Sequence, residues 1–221
     1  MIWGGPCRLR AAGHRASPFP SPSRRIVGAV ESSRMSTTKT FVTLSDLWRM
    51  PEDGFRYELV AGELVKKTPA GWKHGYLAMR LGSLLDQHVR AGHLGVVCAA
   101  ETGFRLSSDP DTVRAPDVSF VAASRIPKDG LPDTFCPFAP DLAVEVVSPN
   151  DRFQEVLAKV DDYLKAGTNV VWVVDPKTET VLVYVSGPEA NLRLQTGDVL
   201  RGEPVLPGFA VGLNELFAEN S

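Results

Sequence analysis

Asp141-Leu-Ala-Val-Glu-Val-Val-Ser148 holds a six-residue run, Leu142 to Val147, in which every side chain but one is apolar. A run this short and this apolar reads as a strand covered on both faces of its sheet. The exception is Glu145. Desolvating a carboxylate costs several kcal/mol unless it is paired, protonated or metal-bound. Glu145 therefore needs a partner or a task.

Downstream, Ser148-Pro-Asn-Asp151 reads as a turn that also caps a helix reaching Ala166 and closed by Gly167. Phe153, Val156, Leu157, Val160 and Leu164 define its apolar stripe. Lys159 lies roughly 120° from the centre of that stripe at 100° per residue. Asn169–Val174 is a second apolar, β-branched run, and Pro176-Lys-Thr-Glu179 turns it into the alternating partner Thr180–Val185. Phe209 to Phe217 is a short packing helix or strand.

Upstream, Val113–Val121 reads as a strand, with Asp117 directly after Pro116, which lacks an N–H and marks a strand's start. Leu94–Ala99 and Thr102–Leu106 are further strands. Residues 123–140 form a long loop punctuated by Pro127, Pro132, Pro137 and Pro140. From His74 to Arg90, Leu77, Leu81, Leu84, Leu85, His88 and Val89 recur at three- and four-residue steps, the mark of an amphipathic helix. Before it, Thr43 caps a short helix that Pro51 stops, and Phe55–Val60 and Glu63–Thr68 flank Ala61-Gly62 as a hairpin. This order predicts an α/β domain over 39–221, one mixed sheet with helices on both faces.

The 221 residues amount to 24.0 kDa, with 43% hydrophobic and 23% charged residues. Those values exclude a disordered, collagenous or disulfide-stapled chain. No window approaches eighteen consecutive apolar residues, so no membrane span is expected. Cys7, Cys98 and Cys136 are odd in number and widely spaced, which suits a cytoplasmic protein better than a disulfide framework. The net charge of −2 hides an asymmetry: residues 1–34 carry six arginines against Glu31 alone, giving +5 and leaving −7 for the remainder. That Pro-, Gly- and Ser-rich stretch could be an organelle transit peptide, a basic tail, or sequence upstream of a start at Met35. The last reading is preferred, and residues 1–38 are expected to lack a packed fold on any of them.

Two carboxylates on adjacent strands, Asp117 and Glu145, with converging side chains would make a site for a hard divalent cation such as Mg²⁺. Pro116-Asp117 followed by Glu145 in the next long apolar strand resembles the PD-(D/E)XK phosphodiesterase superfamily. The resemblance is closer to one branch, the Uma family of "putative restriction endonucleases". Its phrases are Arg56-Tyr-Glu-Leu-Val-Ala-Gly-Glu-Leu64, Ala115-Pro-Asp-Val-Ser119, Pro140-Asp-Leu-Ala-Val-Glu-Val-Val-Ser-Pro149, Lys159-Val-Asp-Asp-Tyr-Leu-Lys-Ala-Gly167 and Val170-Val-Trp-Val-Val-Asp-Pro176. They cover about residues 41–217.

The resemblance implies a restriction-endonuclease-like fold with a four-stranded central mixed sheet flanked by helices. It also implies a bound Mg²⁺ or Mn²⁺ that activates water against a phosphodiester of DNA. Asp117 matches the motif's Asp and Glu145 its acid, with the Val146 carbonyl as a further ligand. The motif lysine should stand at 147, where this chain has valine; in this branch it looks relocated to the following helix, nominating Lys159 over Lys165. The resemblance also places an acid near the metal from the region of Glu58, as a third ligand or water-orienting base, with Glu63 and Glu101 competing. His74, on the inner stripe of the long helix, suggests phosphate contact or water activation, or a structural role.

Lys66, Lys67, Lys73, Arg105 and Arg114 could draw in a polyanion, and no aromatic stacking platform marks the sequence as a single-strand binder. A homodimer is the default for a restriction-type enzyme. Val147 keeps open a catalytically silent nucleic-acid-binding or regulatory module on the same fold. A scaffold protein whose Glu145 is ion-paired to Lys159 or Arg114 is the third reading.

Overall fold

Every residue of the Leu142–Val146 strand is buried, Glu145 included, because helices cover both faces of its sheet. The computed structural model describes residues 41–188 and 191–219. The expectation for residues 1–38 lies outside the described residues. Along the chain run α1 (Leu44–Trp48), β1 (Arg56–Val60), β2 (Glu63–Lys67), α2 (Trp72–Gly92), β3 (Gly95–Ala99), β4 (Phe104–Ser107), β5 (Thr112–Arg114) and β6 (Val118–Ala122). Then follow β7 (Leu142–Val146), α3 (Phe153–Lys165), β8 (Val170–Asp175), β9 (Thr180–Val185), β10 (Leu192–Leu194), β11 (Val199–Arg201), β12 (Ala210–Gly212) and α4 (Leu213–Phe217).

The central sheet has the order β10-β9-β8-β7-β6-β3. Only β7 and β8 pair in parallel, joined by the α3 crossover, so the sheet is mixed as expected. Alternation along β7 assigns its two faces. Leu142, Val144 and Val146 meet Leu77, Leu81, Leu85 and Val89 of α2. Ala143 turns to the other side, where Val156, Val160 and Tyr163 of α3 pack on Val171 and Val173. Near-continuous apolar sequence is the consequence of this double cover.

Three expectations are corrected. The central sheet has six strands, not four, and a separate antiparallel sheet of order β2-β1-β5-β4 lies beside it in the topology. The extra members of the central sheet include β10, whose Leu-Arg-Leu run is too short and mixed to register as a strand. The run Val113–Val121 is not one strand: β5 belongs to the four-stranded sheet and β6 to the central one, with Ala115-Pro116-Asp117 crossing between them. Finally, α3 has no side-chain cap from the Ser148–Asp151 turn, because the Asp151 carboxylate accepts the Ser148 N–H at 2.8 Å instead.

Other local readings hold for identifiable reasons. Thr43 and Asp46 form a reciprocal capping box on α1. Ala61 and Gly62 turn β1 into β2 with φ of 48° and 77°, the pair of left-handed residues a tight hairpin demands. The Phe209–Phe217 segment is both strand and helix, β12 and then α4.

The apolar stripe of α3 is rotated from its expected position. Phe153 is 60% exposed, whereas Tyr163 is fully buried beside Val156 and Val160. Leu81→Ala should therefore cost about 2–5 kcal/mol, as a buried leucine truncated without collapse does. Phe153→Ala should cost less than about 0.5 kcal/mol. Urea-denaturation midpoints of the two variants check both values.

Candidate active site

The two acids meet where β6 begins beside β7. Val118 pairs with Val144 and Ser119 with Ala143. Asp117 stands one residue before that ladder. The Asp117 N–H donates to the Val144 carbonyl at 3.0 Å, and its carboxylate Oδ2 accepts the Val146 N–H at 2.7 Å. Pro116 sits where the chain leaves one sheet for the other, a place with no ladder bond to lose. Asp117, Glu145 and Val146 line a common cavity.

Helix α3 supplies the counter-charge. Lys159 Nζ lies 2.5 Å from Glu145 Oε2, and the Tyr163 hydroxyl donates to Oε1 at 2.9 Å. With Val156, Val160 and Tyr163 as the true stripe, Lys159 falls roughly 70° from its centre rather than 120°. The bond from its hydroxyl to Glu145 is what lets Tyr163 be buried. Position 147 shares the face of Glu145, and Val147 there packs on the α3 side while the ammonium arrives from the helix.

Glu58 of β1 completes the cluster from the other sheet. Its Oε2 accepts from Arg114 Nη1 at 2.9 Å and meets Lys67 Nζ at 2.8 Å, and its Oε1 stands 3.9 Å from Lys159 Nζ. Arg114 in turn grips Asp162 of α3 through Nε and Nη2 at 3.0 and 2.6 Å. This buried arginine, read from sequence as a cation that could attract a polyanion or pair with Glu145, instead holds Glu58 and Asp162 and so ties β5, β1 and α3 together. Tyr163 and the Arg114–Asp162 clasp escaped sequence reading; the α3 spacing 159, 162, 163 was the available signal, since those three share a helix face.

Charge in this cluster is unevenly tuned. Burial pushes the Glu145 carboxyl up, Asp117 and Glu58 add to the shift, and Lys159 opposes it. Burial also opposes ionisation of Glu58, yet Lys159, Lys67 and Arg114 outweigh it and hold that carboxyl below its ordinary value. Burial disfavours the charged Lys159, but Glu145 and Glu58 reverse the effect and hold it protonated.

His74, two residues into α2, places Nε2 3.1 Å from Asp117 Oδ2, and the hydrogen bond to Asp117 raises its pKa. Its Nδ1 is buried without a hydrogen-bond partner. Of the competing candidates, Glu101 also lines the cavity, whereas Glu63 and Lys165 do not. Glu101 pairs with Arg56, Lys165 with Asp161, and Glu63 opens β2 on the exposed side of the hairpin. Among the proposed polyanion contacts, Lys66 and Lys67 line the cavity, whereas Lys73 pairs with Glu219 and Arg105 with Asp111.

Asp117 and Glu145 offer hard oxygen donors, and the negative field that raises the Glu145 carboxyl is one a divalent cation would relieve. Among the described residues no three acidic, histidine or cysteine side chains form a ready cage.

The two glutamates should respond to pH with opposite sign. Glu58, with a lowered folded pKa, contributes stability above its ordinary value of 4.5 that is lost as pH falls below it. Glu145, with a raised folded pKa, incurs a cost that grows as pH rises through 4.5 and above. Relative to wild type, Glu58→Gln should therefore lose Tm as pH rises from 4 to 8, and Glu145→Gln should gain it over the same range from an offset set by the Lys159 ammonium left without its closest partner. Thermal melts of the two variants across pH 4–8 read the sign directly.

The Uma2 family model, described as "Putative restriction endonuclease", matches residues 44–214. A crystal structure described as a "putative nuclease belonging to DUF820" from Anabaena variabilis ATCC 29413 is similar in fold, with a TM-score of 0.71. It is 23% identical in sequence, and the alignment covers 80% of this chain and 97% of that one. No curated protein matches this chain. Because the match over residues 44–214 takes in both sheets and the helices that flank them, the chain belongs to the Uma2 family.

Proposed function

We propose that this protein is a divalent-metal-dependent endonuclease that hydrolyses phosphodiester bonds in DNA. The observation that carries the reading is the approach of Asp117 and Glu145 from adjacent strands to one cavity, with the Lys159 ammonium against them. Asp117 and Glu145 would hold Mg²⁺ or Mn²⁺, with the Val146 carbonyl as a backbone ligand and Glu58 at the edge of the site. Such a metal lowers the pKa of a bound water and neutralises a phosphate oxygen.

The chain's own groups do the rest. The Val146 N–H and His74 hold Asp117 in place through Oδ2. Tyr163 orients Glu145. Lys159 stays protonated between Glu145 and Glu58, so it can orient the attacking water and offset charge that develops on phosphorus. Lys66 and Lys67 attract the polyanion at the cavity wall. A two-fold pair working in the cytoplasm is part of the proposal. No helix among the described residues is long and apolar enough to cross a membrane.

Incubating plasmid with protein and Mg²⁺ or Mn²⁺ should give nicked and linear DNA. Asp117→Ala and Glu145→Ala should each lower the rate at least about a hundredfold, and Lys159→Ala by a similar factor. Calorimetry should show Mn²⁺ binding to the wild type and not to Asp117→Ala. Cleavage by the acid variants at the wild-type rate sinks the proposal.

One observation favours a second reading. Both Glu145 oxygens already have protein partners, so the cluster is electrostatically self-sufficient as an ion-paired core. On that reading the protein binds nucleic acid without cutting it, and calorimetry would find intact DNA binding with no divalent-ion uptake.

A further inference from the structure

The cavity that holds the acid cluster has a volume of about 1350 Å³. That exceeds the roughly 300–1,000 Å³ of pockets that enclose small ligands. Its walls differ in character. On one side stand Lys66 and Lys67 of β2, the first with its ammonium over the Phe55 ring and the second with its ammonium 2.8 Å from Glu58 Oε2. On the other stands a face of α2 that is neither charged along most of its length nor buried. Gly75, Met79, Gly82 and Asp86 line the cavity from this face. Trp72 lies on it too, within roughly 60° of Gly75 at 100° per residue.

Two of these residues are exposed to a degree that packing does not explain. Trp72 is 93% exposed and Met79 72% exposed, while Leu77, Leu81, Leu85 and Val89 on the opposite face are buried. Between them, a Cβ placed on Gly75 would meet nothing within 4 Å. The result is an open apolar shelf about two turns long, flanked by an indole and a thioether. It begins beside His74, whose ring touches Asp117. Val97 and Ala99 of β3 extend the apolar lining.

A duplex offers such a site phosphates and groove edges, which call for cations and hydrogen-bonding groups on every wall. A shelf of indole, thioether and bare backbone suits the faces of unstacked bases, and the lysines opposite suit the backbone that carries them. We infer that the cavity receives a nucleic-acid segment with unpaired bases, a single strand or the unpaired part of a branched duplex, and that Trp72 stacks on a base at its mouth. This rests on the nucleic-acid reading of the site and narrows the substrate class.

The test is binding in EDTA, where cleavage does not occur, by fluorescence anisotropy of the full chain. The probes are a labelled oligo-dT of about 20 nucleotides and a blunt duplex of the same length. The single strand should bind at least about tenfold more tightly than the duplex. Trp72→Ala should weaken oligo-dT binding about tenfold, Trp72→Phe should stay within about threefold of wild type, and duplex binding should change little in either. Equal or tighter duplex binding, no binding of oligo-dT, or oligo-dT binding that is indifferent to Trp72→Ala overturns the inference. So does sedimentation showing that Trp72→Ala converts a dimer to monomers, which would give the shelf to a second copy of this chain. Trp72-dependent binding in EDTA, joined to intact plasmid after incubation with Mg²⁺ or Mn²⁺, would sink the nuclease proposal and leave this one standing. Duplex cleavage that ignores Trp72 would do the reverse.

Discussion

A single desolvated carboxylate organises this protein. Glu145 sits in the middle of a strand covered on both sides, in surroundings that penalise its charge. An ion so placed persists only if its lone pairs are filled and its charge is balanced at close range. Lys159 and Tyr163 supply both from one helix face, four residues apart. The rotation of α3 about its axis follows from that demand. So does the burial of a tyrosine where a phenylalanine ten residues earlier is left in solvent.

The compensation does not end with one pair. Lys159 also faces Glu58, Glu58 is held by Arg114 and Lys67, and Arg114 reaches back to Asp162 on α3. Charges from β1, β2, β5, β7 and α3 thus balance one another across the two sheets. In a low-dielectric setting such a network is worth much when complete and costs much when one member is lost. The Ala115-Pro116-Asp117 crossing belongs to the same arrangement. It takes the chain out of the sheet that holds Arg114 and delivers Asp117 to the edge of the one that holds Glu145.

The cavity beside this network joins two kinds of surface. Acids and a protonated lysine form its floor, while the long helix α2 gives one wall an exposed apolar shelf. Helix α2 serves both purposes because its faces are divided. Its leucine stripe anchors the central sheet, its first turn brings His74 to Asp117, and its outer face remains open.

Periodicity and desolvation made much of this legible in one dimension. The α2 stripe, the doubly covered β7, the Ala61-Gly62 hairpin and the anomaly of Glu145 are local patterns, and each requires only neighbouring residues to be recognised. Pro116 marked where Asp117 would enter a strand. What local pattern could not supply was the partition of Val113–Val121 between two sheets, since alternation is continuous through a change of sheet. Nor could it supply the true face of α3, because Tyr163 is apolar enough to be buried only when an acceptor on another strand takes its hydroxyl. The Arg114 clasp depends likewise on residues tens of positions away. Sequence determined which charges were anomalous; tertiary structure decided which of them meet, because electrostatic compensation acts through space and not along the chain.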